Sequence, residues 1–247
     1  MHPLSELVCP KLTPADGSLG EISHHLGQTL DRFLVRSVEL RKSGTAVDLA
    51  LFGPTLARGT LELAATALLA RYDPLRVLSI RKSQQMPSYD PSSPNPIRFE
   101  WTSDVMGEKG KPWTERMIAK DLQRSFLCNH LHDLIWEEAF KAALDNIEIN
   151  RGATWIQILR RIDPSGFTSF MRSEASHLYS ELSKGIHAEF VIPIQFQFDR
   201  ATMGDLFDRV WTWIGNMALT ACYSKALSAS TSSPIDAYEE AQRELYS

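Results

Sequence analysis

Apolar residues recur every three or four positions through most of the chain, the spacing that lines one face of an α-helix. The clearest run begins at Ser18. Leu19, Ile22, Leu26, Leu30, Leu34 and Val38 form a stripe with Phe33 beside it, and Ser43-Gly44 closes it. Ser18 with Glu21 reads as the capping box of this helix. A second helix is predicted from Thr45 to Arg71, with Thr45 and Asp48 as its cap pair and Pro54 as an internal kink or break. Its later part, ARGTLELAATALLARY, is apolar nearly all round and belongs in the middle of a bundle. Asp73-Pro74 stops it, and a short helix (PLRVLSIRK) follows.

Beyond residue 84 the pattern lapses. Prolines 87, 91, 94, 96 and 112 fall among Ser, Asn, Asp and Gly, so residues 84–112 read as a loop excursion within one domain. Helical spacing returns from Trp113 to about Asn146, with a break expected near Asn129, then in TWIQILRRI, and again from Ser165 to Lys184. Gly185 is the expected left-handed C-cap of that last helix. In residues 189–199 the period changes to two: Phe190, Ile192, Ile194, Phe196 and Phe198 alternate with mostly polar neighbours. An extended segment follows, with Pro193 confining it to an edge and no second strand to pair with. Either its five large side chains lie across the bundle, or they bind a partner or a second copy by strand addition. A final long helix is predicted from near Thr202, with Asp205 as its cap partner. It is followed by the Ser-rich linker SASTSSP and a short acidic helix, PIDAYEEAQRELYS.

The expectation is an all-α multi-helix bundle with one long Pro-rich excursion and one short extended segment. Residues 1–17 read as an irregular arm, 18–228 as a single helical domain, and 229–247 as linker and C-terminal helix. Composition changes this little. With 43% apolar and 23% charged residues the chain is ordinary for a globular domain, and a net charge of −4 argues against a surface that is wholly a nucleic-acid footprint. The three cysteines, Cys9, Cys128 and Cys222, share no short spacing. That fits a reducing cytoplasm rather than a disulfide framework. Asp48, Pro54, Arg58 and Glu62 interrupt the most apolar stretch, so no membrane span is expected.

Candidate chemistry is sparse. His130, His132 and Asp133 lie close in sequence, but positions two apart diverge on an α-helix, so no metal is expected. No cofactor motif is present, and the cysteines sit in apolar or terminal settings unsuited to nucleophilic work. The stretch RSEASHLYSELSKGIHAEF, Arg172 to Phe190, resembles the HEPN-like helical bundles of bacterial defence and conflict loci. The resemblance is carried by Tyr179-x-x-Leu182-Ser183-x-x-x-His187, and by Arg58-Gly-Thr-Leu-Glu62-Leu in the core helix. Arg58 and Glu62 read either as a mutual, partly buried i,i+4 ion pair, with His187 bonding the last carbonyls of its helix beyond Gly185, or, with Tyr179 and His187, as one polar cluster between two core helices.

Active members of that group are metal-independent ribonucleases that use an Arg and a His a few residues apart. Arg172 and His177 fit that spacing, with the guanidinium holding a phosphate and the imidazole moving a proton. Arg124 and His130 fit it too, and two such pairs are what chance supplies in a chain this rich in Arg. The His that best matches the pattern is His187, and Ser180, Glu181 and Leu182 stand where its Arg would be. The favoured reading is therefore a non-catalytic binding or regulatory component of a bacterial antiphage system. It would act through contacts with a protein partner or its own copy. The alternative is a toxin-like ribonuclease that uses Arg172 and His177 on RNA.

Overall fold

The computed structural model describes residues 1–9, 12–87, 127, 131–185, 198–225, 227 and 233–246. Among them the chain is all-α, without a strand. Helix α1 spans Pro3–Val8, α2 Ser18–Ser43, α3 Ala46–Tyr72 and α4 Pro74–Gln84. A π-helical turn, His132–Trp136, leads into α5, Glu137–Asn146. Helix α6 is Thr154–Leu159, α7 Phe167–Lys184, α8 Arg200–Cys222 and α9 Pro234–Tyr246.

Helix α8 is the axis of the bundle. Fourteen of its residues are buried, from Met203 to Ala221, and α1, α2, α3, α5, α6, α7 and α9 all pack against it. Its centre holds Trp211 and Trp213, both buried to 1% exposure or less. Against it lies α3, whose Ala57, Leu61, Ala64, Ala65, Leu68 and Leu69 are small or compact enough for close approach. The expected Thr45–Asp48 capping box is formed: Thr45 Oγ1 accepts from Asp48 N at 3.1 Å, and Asp48 Oδ2 accepts from Thr45 N at 3.1 Å. Pro54 does not divide this helix, which runs unbroken through it.

Several local expectations need correction. The arm at 1–17 contains a buried helix: Leu4, Leu7 and Val8 are each 0% exposed. Helix α2 is not capped by Ser18 and Glu21, because Gly17 occupies the N-cap at φ 78° and Glu21 turns to Arg81. The capping box sits one turn earlier, at Thr13 and Asp16. Gly185 is right-handed (φ −76°), so its small size answers a different need: a Cβ there would lie 2.4 Å from Pro54 Cγ and 3.0 Å from Phe198 Cε2. The last long helix starts at Arg200, where the Asp199 carboxylate accepts from Thr202 N at 2.7 Å; Asp205 caps nothing and reaches toward Arg209. The acidic C-terminal helix docks on the body, burying Tyr238, Ala241 and Leu245.

Candidate functional site

Three of the four residues expected to cluster do so. Arg58 of α3 donates from Nε to Glu62 Oε1 at 2.9 Å, one helical turn along. Its Nη2 donates to the Tyr179 hydroxyl at 2.5 Å, and its guanidinium carbon lies 4.3 Å from the centre of that ring. Ser183 completes the group, accepting from Arg58 Nη1 at 3.4 Å while donating to the Tyr179 carbonyl at 2.6 Å. His187 lies outside the described residues. The cluster joins α3 to α7, but it is not buried: the Glu62 side chain is 43% exposed. The Glu62 carboxylate stays open although its helix is apolar nearly all round, because α7 meets α3 here with the short polar side chain of Ser183 and the half-open ring of Tyr179. The pair therefore contributes as a surface ion pair does, and Glu62→Ala should lower stability by only about 0.2–1 kcal/mol. A loss of several kcal/mol in chemical denaturation would place the pair in the core instead.

Arg172 and His177 are not brought together as a pair of adjacent groups. Both lie on α7, five residues apart, and at 3.6 residues per turn that separates them by about 140° around the axis. His177 is exposed and its Nδ1 sits 3.0 Å from Nη2 of a different arginine, Arg209 of α8. Arginine only donates, so Nδ1 is the accepting nitrogen of this ring. Arg209 is itself held by Glu174 at 2.7 Å and lies 3.6 Å from Asp205; the bond to Glu174 raises its already high pKa. This Arg209–His177 contact was invisible in sequence, since 32 positions separate its members. The other pair of the right spacing, Arg124 and His130, lies outside the described residues.

Beside this network, α6, α7, α8 and α9 enclose an open cleft of about 640 Å³. Its floor is Trp155 and Trp213, each 1% exposed, with Trp213 Nε1 donating to the Met171 carbonyl at 2.8 Å. Phe170 and Tyr246 stand at its mouth, 46% and 41% exposed. Its polar wall holds two ion pairs, Glu174 with Arg209 at 2.7 Å and Asp208 with Arg41 at 2.8 Å. Burial pushes the Asp208 carboxyl up from the ordinary carboxylate value, and Arg41 pulls against it. Arg41 in turn lies over the rings of Trp211 (5.5 Å) and Tyr246 (5.2 Å). The sequence signal for this cleft was the aromatic density of α8 and the C-terminal helix, which reads equally well as core.

The π turn alters the metal question. On an α-helix His132 and Glu137 would diverge by about 140°. The wider i→i+5 closure of a π turn sets residues five apart nearly above one another. His132 Nε2 is thus 3.3 Å from Glu137 Oε2, and with Asp133 the three ligand atoms lie within 4.8 Å of one another. His132 Nδ1 is 2.8 Å from Thr168 Oγ1, and Lys141 pairs with Glu137 at 2.8 Å. These three side chains could hold a cation, although Lys141 already supplies a positive charge to one of them.

The extended segment contributes less. Phe190, Ile192, Ile194 and Phe196 lie outside the described residues. Phe198 is 2% exposed and belongs to the core, so it is closed to a partner; it packs by Gly185. Burial also pushes the Cys9 thiol up to about 12, which removes it as a nucleophile. Among the described residues no helix is long and apolar enough to cross a membrane. No protein-family model matches the chain, and neither a curated protein nor a solved structure is significantly similar to it.

Proposed function

We propose that this chain is a non-catalytic helical binding component that works through protein contacts. The observation that carries this reading is an exposed apolar face at the start of α3. Val47, Leu51 and Phe52 are 58%, 48% and 56% exposed. Phe52 also borders a groove of about 700 Å³ between the end of α2 and the start of α3, where Leu40 and Leu56 meet Arg36, Glu39 and Asp48. Apolar side chains grouped at a surface and rimmed by charge mark an interaction site. Support for the absence of catalysis is the divergence of Arg172 and His177 around α7. The resemblance to HEPN-like bundles supports a place in bacterial antiphage defence, inside the cell.

The contact surface and the ribonuclease alternative are tested on the same preparation. Sedimentation across a concentration series, alone and with the products of neighbouring genes, should show association that Leu51→Lys and Phe52→Lys weaken by at least about tenfold, or about 1.4 kcal/mol. Both positions are exposed, so the melting temperature should hardly move. RNA incubated with the protein should stay intact, with or without EDTA. Metal-independent cleavage that vanishes in His177→Ala or Arg209→Ala would replace this reading with a ribonuclease.

A further inference from the structure

We propose that the π turn ahead of α5 binds one divalent transition-metal ion of the zinc type, held by His132, Asp133 and Glu137. The site lies apart from the exposed face of α3 and does not rest on the reading of that face.

The backbone makes the site. The Glu137 N–H donates to the His132 carbonyl five residues back, where an α-helix would reach back four. On a regular α-helix the residue one turn above His132 would be Trp136. The wider turn sends Trp136 into the core at 1% exposure and brings Glu137 over His132 in its place. Asp133 precedes Glu137 by four residues, so it lies under the same carboxylate, beside His132. Single π turns of this kind are rare and concentrate at functional sites.

The distances suit an ion. His132 Nε2 is 3.3 Å from Glu137 Oε2, and the three ligand atoms all lie within 4.8 Å of one another. Ligands about 2.0–2.1 Å from a tetrahedral zinc stand about 3.3 Å apart, so the first pair already spans one edge of such a site. A small turn of the Asp133 side chain brings in the third ligand. Solvent has access, because the His132 and Glu137 side chains keep 17% and 27% of their surface and Asp133 is exposed.

The neighbours hold the ligands in place. Thr168 of α7 is 2% exposed, and its Oγ1 lies 2.8 Å from His132 Nδ1. A hydroxyl oxygen accepts Nδ1–H and leaves Nε2 its lone pair, the arrangement a ligating imidazole needs. Lys141 Nζ bonds the other oxygen of Glu137, Oε1, at 2.8 Å, so Oε2 stays turned toward His132. Its positive charge keeps the affinity below that of a buried structural zinc site. One imidazole nitrogen with two carboxylate oxygens fits Zn²⁺ better than Mg²⁺ or Ca²⁺, which take oxygen, or Cu(I), which takes sulfur. Three protein ligands leave the fourth position to water.

The test is isothermal titration of the full chain, freed of metal with EDTA and desalted, with zinc chloride. The tightest binding event should be one Zn²⁺ per chain, and zinc should raise the melting temperature. Asp133→Asn and Glu137→Gln, which keep the side-chain shape, should each weaken binding at least about tenfold, and His132→Ala at least as much. Asp133 is exposed, so its variant should melt like the unsubstituted chain when zinc is absent. Replacing the exposed neighbours His24 and His25 of α2 with alanine should leave the affinity unchanged. A tenfold excess of Mg²⁺ should not compete. No saturable binding up to millimolar zinc overturns the proposal. So does zinc binding that either carboxamide variant leaves intact, that Mg²⁺ displaces, or that is lost with His24 and His25.

Discussion

Removal of residues 1–9 should leave a chain that no longer folds cooperatively, and Leu7→Ala alone should lower stability by about 2–5 kcal/mol. Helix α1 is short, yet three of its six residues are apolar side chains with no exposure at all. It packs on α8 and α9, and also touches α2 and α3. At roughly 1.5–3 kcal/mol for each large apolar side chain buried, Leu4, Leu7 and Val8 together approach the whole stability of an ordinary domain, about 5–15 kcal/mol. Polar groups bind it in place as well. Arg71, 5% exposed, donates from Nη1 to the Leu7 carbonyl at 3.1 Å, so a buried guanidinium meets the carbonyl end of α1 where the helix dipole is negative.

At the other end His2 Nδ1 accepts from Leu4 N at 3.1 Å. Burial holds the His2 imidazole below its ordinary value of 6.5, so the unfolded chain takes up that proton first. This contribution to stability is present above the ordinary value and is lost as pH falls through the lower, folded one. The measurement is urea denaturation of the full and shortened chains at neutral and mildly acid pH. A shortened chain with an unchanged midpoint would restore residues 1–17 to the status of an irregular arm.

The contrast between α1 and α2 shows what the sequence could and could not reveal. Helix α2 has a stripe, Leu19 to Val38, sustained over about five turns, and a period repeated that often has no other explanation. Helix α1 offers Leu4, Leu7 and Val8, a single turn of the same spacing among prolines, and one turn is too short for a period to declare itself. What fixes it is tertiary: Arg71 and α9, distant in the chain. The polar cluster divides in the same way. Arg58 and Glu62 are legible as an i,i+4 pair within one helix, whereas the degree of burial depends on which residues α7 sets opposite them. The exchange of Arg172 for Arg209 as the neighbour of His177, and the meeting of His132 with Glu137 across a π turn, rest on helix crossing and backbone winding. Neither leaves a mark in residue spacing.

Two glycines of α8 should respond in opposite directions to the same substitution. Inside a helix, alanine is favoured over glycine by about 0.5–1 kcal/mol, because glycine loses more backbone freedom on folding. Gly204 has nothing within 4 Å of an added Cβ, so Gly204→Ala should gain up to that amount. At Gly215 the same methyl would lie 2.6 Å from Trp155 Cζ3, 2.9 Å from its Cε3 and 3.1 Å from Tyr238 Cε2. Neither ring has room to retreat: Trp155 is 1% exposed and Tyr238 0% exposed, and the rings already pack at 5.2 Å between centroids. Tyr238 is tethered besides, through its hydroxyl to Asn216 Oδ1 at 2.5 Å. Overpacking of this kind costs about 1–3 kcal/mol, which exceeds the gain in helix propensity. Gly215→Ala should therefore be net destabilising, by about 2 kcal/mol, and should also narrow the cleft whose floor is Trp155. Denaturation of the two variants side by side decides it. A Gly215→Ala chain as stable as the Gly204→Ala chain would mean that the Trp155 ring does not rest on α8, and the floor of the cleft would have to be redrawn.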